Sequence, residues 1–105
     1  MDEVFEVFEY WKIRLNKPRS KLDKARARKI QERLKDGYSV TDLLAAIDGC
    51  ARSAFHNGEN ERHTTYNDIS LICRDAEHID RFLQIEEDFQ KKQKSKALYQ
   101  ARLNS

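Results

Sequence analysis

Three histidines and two cysteines are the side chains of this sequence best suited to metal, nucleophilic or acid–base chemistry, and their spacing argues against all three. A structural zinc site needs paired ligands at close spacing, because one turn of chain must present two donors to the same ion. His56, His63, His78, Cys50 and Cys73 contain neither a CxxC nor a close histidine pair. Both cysteines fall on apolar helical patterns, which predicts reduced core thiols with no bridge and no metal. Cys50 lies near His56 in sequence, but a cysteine buried on an apolar helix face is inert. Glycine-rich phosphate loops, GxSxG and HExxH are also missing. The sequence therefore predicts a protein that is not an enzyme, with no cofactor and no metal.

Two other groups of polar residues suit binding. The first is a basic run from Lys12 to Lys35, with eleven Lys or Arg against Asp23 and Glu32, a net +9. Lys21, Lys24, Arg28 and Lys35 recur at helical spacing opposite Leu22, Ile30 and Leu34, flanked by Arg26 and Lys29. Such a face neutralises phosphates and releases their counterions, so it predicts DNA binding that is salt-dependent and indifferent to sequence. The other reading of the same charges is a helix merely solvated on its outer side. The second group is the polar stretch holding His56, Asn60, Arg62 and His63. Its imidazole, amide and guanidinium groups suit phosphate or protein contacts, yet His56 and Asn60 equally suit bonds to nearby backbone that fix a loop's shape. The tethering reading is preferred, since a long ordered loop needs internal bonds.

The elements that must hold these residues follow from periodicity. Val4, Phe8, Trp11 and Leu15 form one stripe of a helix from about Asp2 to Leu15, ended by Pro18. Ser20, with Asp23 three residues on, predicts the cap of a second helix that runs to Asp36, and Gly37 suits a left-handed turn after it. Ser39 and Asp42 repeat the cap for a third helix with Val40, Leu43, Leu44, Ile47, Cys50 and Ala51 inward. Gly49 within it implies close approach of another helix. The stretch 55–65 is a loop. Thr65 and Asp68 predict a short helix using Tyr66, Ile69, Leu71 and Ile72, and Asp75 caps a last helix with Ile79, Phe82, Leu83 and Phe89 inward. Beyond Gln90 good helix formers have few apolar anchors. Trp11, Leu34, Leu43, Leu44, Ile47, Ile72, Ile79 and Phe82 are expected to meet in one core.

The expected fold is therefore all-α: one small bundle of about five helices with one long polar loop. It comprises a helical domain over residues 1–90 and a basic helical extension or tail over 91–105. With 36% charged residues, 3 glycines and 1 proline, a sandwich or barrel is excluded as a prior. No apolar run can span a bilayer, and the acidic Met-Asp-Glu opening is unlike a signal peptide, so a cytoplasmic protein with no membrane partner is expected. From Tyr66 to Phe89 the charge reverses, two Arg against seven Asp or Glu, a net −5. One basic and one acidic surface should result.

From Phe5 to Leu83 the order of residues resembles the C-terminal domain of phage and prophage replication proteins, of the replisome-organiser and helicase-loader type. The resemblance lies in Trp11, Arg33-Leu34 with Gly37, the run Ala46 to Cys50, Ser53 with His56, Asn60, Tyr66, and Arg74-Asp75. It implies a DNA-replication module that helps recruit the replicative helicase, or another replication protein, in the host bacterial cytoplasm. The alternative is a protein-interaction or inhibitory module that never touches DNA.

Overall fold

The computed structural model describes residues 2–104 and is all-α, with no strand among them. The first helix, α1 (Glu3–Arg14), starts where the Asp2 carboxylate accepts from the Val4 amide at 2.9 Å. It ends at Asn16, whose φ of 56° lets the Lys17 amide turn back to the Lys12 carbonyl at 2.8 Å. The second, α2 (Lys24–Lys35), closes on Gly37 (φ 107°) in the same way, with the Tyr38 amide on the Arg33 carbonyl. Its start departs from the expectation. Asp23 is the cap, its carboxylate on the Arg26 amide, and residues 20–23 stay outside the helix. The reason is that Arg26, held by Asp68 at 2.7 Å, also takes the Lys21 carbonyl at 2.8 Å and pins that segment in a turn.

The third helix, α3 (Val40–Arg52), has both bonds of the expected capping box between Ser39 and Asp42. A four-residue turn, α4 (Ile69–Ile72), is capped by Asp68. The last, α5 (Ala76–Leu103), is capped by Asp75 and continues unbroken through the expected extension. Tyr66 lies before α4 rather than within it, because Thr65 pairs with Asn57 in a single bridge and the Tyr66 amide is held by the His56 carbonyl at 2.7 Å.

Contacts between α3 and α5 advance in the same sense along both. Tyr38 bonds Asp80 at 2.7 Å, Gly49 abuts Phe82, and Arg52 reaches Glu86 at 2.6 Å. The two helices are therefore parallel, and residues 53–75 form the crossover that returns the chain to the starting end. The core lies between these helices and α1, with Val7, Trp11, Ile30, Leu43, Ile47, Ile69, Ile72, Ile79 and Phe82 fully buried. Leu34 and Leu44, expected inside, are half-buried at its edge. Ile30 and Arg33 take the inner side of α2 instead. Phe89 is half-buried beneath the Arg52 guanidinium, 3.5 Å from its ring centroid.

Candidate nucleic-acid interface and polar loop

Lys24, Arg28, Gln31 and Lys35 are all exposed and lie in register along the outer side of α2, a line of about 16 Å at the rise of an α-helix. Lys24 and Lys35 make no ion pair among the described residues. Arg28 and Lys29 both point at the Glu32 carboxylate, each at 3.8 Å. Exposed pairs of this kind contribute roughly 0–1 kcal/mol, so a phosphate can displace them. Just before α2, the turn after α1 forms a shallow groove of about 650 Å³ lined by Lys17, Pro18, Arg19 and Lys21, with Asp23 and Arg26 at its α2 side. Lys24, Ala27, Arg28 and Gln31 line a second groove of about 640 Å³. The expected Lys21, Lys24, Arg28 and Lys35 are thus solvent cations, with Lys29 half-buried beside them. Lys17 and Arg19 join the surface through the groove. Their signal in the sequence is the basic turn around Pro18.

Two arginines of the basic run do a different job. Arg26 lies 2.7 Å from the Asp68 carboxylate, and its guanidinium sits 5.5 Å from the Trp11 ring centroid. It ties α2 to the cap of α4. Burial alone would raise the Asp68 pKa, but the hydrogen bonds from Arg26 and then Ser70 outweigh it and hold the carboxylate below its usual range. Arg33 is buried and donates to the Cys73 carbonyl at 3.2 Å. Its Nε is 2.9 Å from Asp36 Oδ2 yet has no aligned acceptor, so that contact is ionic rather than a hydrogen bond. Neither arginine belongs to the outer line on α2.

The polar loop is tethered from within. The Asn60 amide donates to the carbonyls of Phe55 (2.8 Å) and Thr64 (2.7 Å), and its oxygen accepts from the amides of Arg62 and Thr64. Asn57 closes the C-terminal end of α3 by donating to the Cys50 and Ser53 carbonyls. His56 faces inward, its ring edge-on to Phe82 at 4.9 Å and its Nδ1 2.6 Å from Ser53 Oγ. Asn60 thus bonds backbone as expected, whereas His56 fixes the loop through the Ser53 hydroxyl and the Phe82 ring instead. Arg62 and His63 remain exposed. With Phe55 and Tyr66, whose rings stack at 5.9 Å, Arg62 lines a cleft of about 380 Å³ that the sequence did not disclose.

Burial, then the nearby positive Arg81 and His78, lowers the His56 pKa below the ordinary imidazole value. The folded state then binds that proton less tightly than the unfolded chain. Stability is full above about pH 6.5 and declines as pH falls below it. Urea melts between about pH 7 and 5 should show this decline, and His56→Gln should flatten it; an equal slope in the variant would acquit His56.

Both cysteines are free and buried, and burial pushes each thiol up to about 12. Neither is a nucleophile at neutral pH. No group of three or more His, Cys, Asp or Glu among the described residues is arranged to hold a metal ion, and no described helix is long and apolar enough to cross a membrane. No protein family matches the chain, and neither a curated protein nor a solved structure is similar to it.

Proposed function

We propose that this chain is a non-enzymatic DNA-binding module of the phage-replication kind, which holds DNA on the outer side of α2 and the turn before it. The observation that carries the reading is the exposed line of Lys24, Arg28 and Lys35 continued by Lys21, Arg19 and Lys17, with no strong acidic partner on Lys21, Lys24 or Lys35. Contacts of this type fix a protein on the phosphate backbone and do not read bases. Under the same reading the module also has a protein partner in the replication machinery, such as the replicative helicase.

Fluorescence titration of the chain against single- and double-stranded oligonucleotides over a range of salt tests the reading. The expected result is binding to unrelated sequences with log K falling linearly in log salt. Lys24→Glu with Arg28→Glu should weaken every sequence alike and reduce the salt slope by about two, one for each phosphate contact removed, with helix content unchanged. Absence of binding at about 50 mM salt, where a few phosphate contacts are detectable, would replace this reading with the protein-interaction module.

A further inference from the structure

Every residue from Gln90 to Asn104 is exposed, although α5 runs on through them without a break. The chain is correspondingly elongated, with a radius of gyration of 15.5 Å against about 13 Å for a compact chain of this length. As the continuation of an anchored helix the arm needs no new nucleus, but no tertiary packing supports it. It also bears Leu98, Tyr99 and Leu103 at 74%, 63% and 60% exposure. Along the same helix the charge inverts: Ala76 to Phe89 has five acids and one Arg, a net −4, and Gln90 to Leu103 has five cations and no acid, a net +5. In the anchored half the exposed positions are Ala76, Glu77, Asp80, Arg81, Gln84, Glu87 and Asp88, spaced by threes and fours on one outward side. Lys91 and Leu98 continue that side at steps of one heptad from Gln84.

We propose that this outward side of α5 is the interface of an antiparallel homodimer, in which the basic arm of each copy lies along the acidic half of the other. A two-fold axis requires that if one residue faces a second, the second faces the first. An axis between Phe89 and Gln90 meets that condition: it sets Asp88 opposite Lys91, Glu87 opposite Lys92, Arg81 opposite Leu98 and Asp80 opposite Tyr99. The register joins acid to base at its centre and lays the arm's apolar side chains on aliphatic stems and a carboxylate that bonds phenols well. A parallel pairing would set acid on acid and base on base, so charge fixes the direction. The anchored half already uses its other side against α3, through Gly49 and Arg52. At the border Tyr38 takes Asp80 Oδ1, which leaves Asp80 Oδ2 and the rest of the outward side open.

Sedimentation of the full chain, free of DNA, tests the interface. The wild type should be dimeric at low salt and dissociate as salt is raised, because the central pairs are exposed and screened. Glu87→Lys with Asp88→Lys, and separately Lys91→Glu with Lys92→Glu, should each give a monomer with unchanged helix content by circular dichroism. An equimolar mixture of the two variants should recover the dimer mass, since every central pair is again opposite in sign. A wild type that stays monomeric at all salts, variants that dimerise as the wild type does, or a mixture that stays monomeric would each overturn the proposal. Lowered DNA affinity of the Lys91→Glu, Lys92→Glu variant with a monomeric wild type would assign the arm to nucleic acid instead.

Discussion

Trp11→Ala should lower the unfolding free energy by about 4 kcal/mol, within the range for emptying a buried aromatic site. The ring is fully buried, packs 5.6 Å from Phe8, and donates from Nε1 to the Asn67 carbonyl at 2.9 Å. Removing it costs the transfer of a large apolar surface and leaves a cavity. It also strands the Asn67 carbonyl and takes away the face on which Arg26 rests. A domain of this size has only about 5–15 kcal/mol in all, so the variant should be near the edge of folding. Trp11→Phe separates the parts: it keeps most of the packing and loses the hydrogen bond, for roughly 1–3 kcal/mol. Urea denaturation of the three proteins measures both differences. If the Ala variant stays within about 1 kcal/mol of the parent, α1 is not the wall of the core described above.

Gly49→Ala should destabilise by about 3 kcal/mol even though Ala is the better helix former by about 1 kcal/mol. A Cβ on residue 49 would lie within van der Waals radii of the Phe82 carbonyl oxygen, 2.8 Å from its carbon and 3.2 Å from its Cα. All three are backbone atoms. No rotamer change relieves the clash, so α3 and α5 must separate and loosen Ile47, Cys50, Ile79 and Phe82 together. Gly37→Ala is the comparison: nothing lies within 4 Å of its added Cβ, and the φ of 107° is the only strain. It should cost about 1 kcal/mol. Thermal melts that rank the two variants in the opposite order would show that the helices can part without penalty.

Gly49 and Gly37 were both legible in the sequence because each marks a local requirement, a close approach and a left-handed turn. The Ser39–Asp42 box and the Asp75 cap were legible for the same reason. What escaped depends on distant partners. Ser20 and Asp23 are equally good caps in isolation, and the choice between them follows from Arg26, which Asp68 holds from 42 positions on while it takes the Lys21 carbonyl. Arg33 reads as one more solvent cation, yet α2 crosses the end of α4 where the Cys73 carbonyl accepts from it, 40 residues away. Leu34, on the same side of α2 as Ile30, is left at the core's edge for the same geometric reason, since the contact with α4 turns Arg33 inward. The candidate surface divides likewise. Helical spacing alone placed Lys24, Arg28 and Lys35 on one outer line, whereas the engagement of Arg26 depends on Asp68, 42 positions on. The backbone tethering by Asn60 was legible as turn chemistry, but the packing of His56 on Phe82 and the cleft between Phe55 and Tyr66 depend on the bridge from Asn57 to Thr65 that closes the loop.

The parallel arrangement of α3 and α5 bears on how the chain finds this fold. Antiparallel helices joined by a short turn can zip together as soon as the second one forms, but parallel neighbours cannot meet until the intervening segment has looped back. Closing such a segment carries an entropic cost that grows as about three-halves RT times the logarithm of its length, incurred before any contact between the two helices repays it. The Asn57, Asn60 and Thr65 bonds shorten the effective loop by gathering its middle into a knot of local contacts. Because these bonds are local, they lower the entropic cost of the closure that brings α5 beside α3.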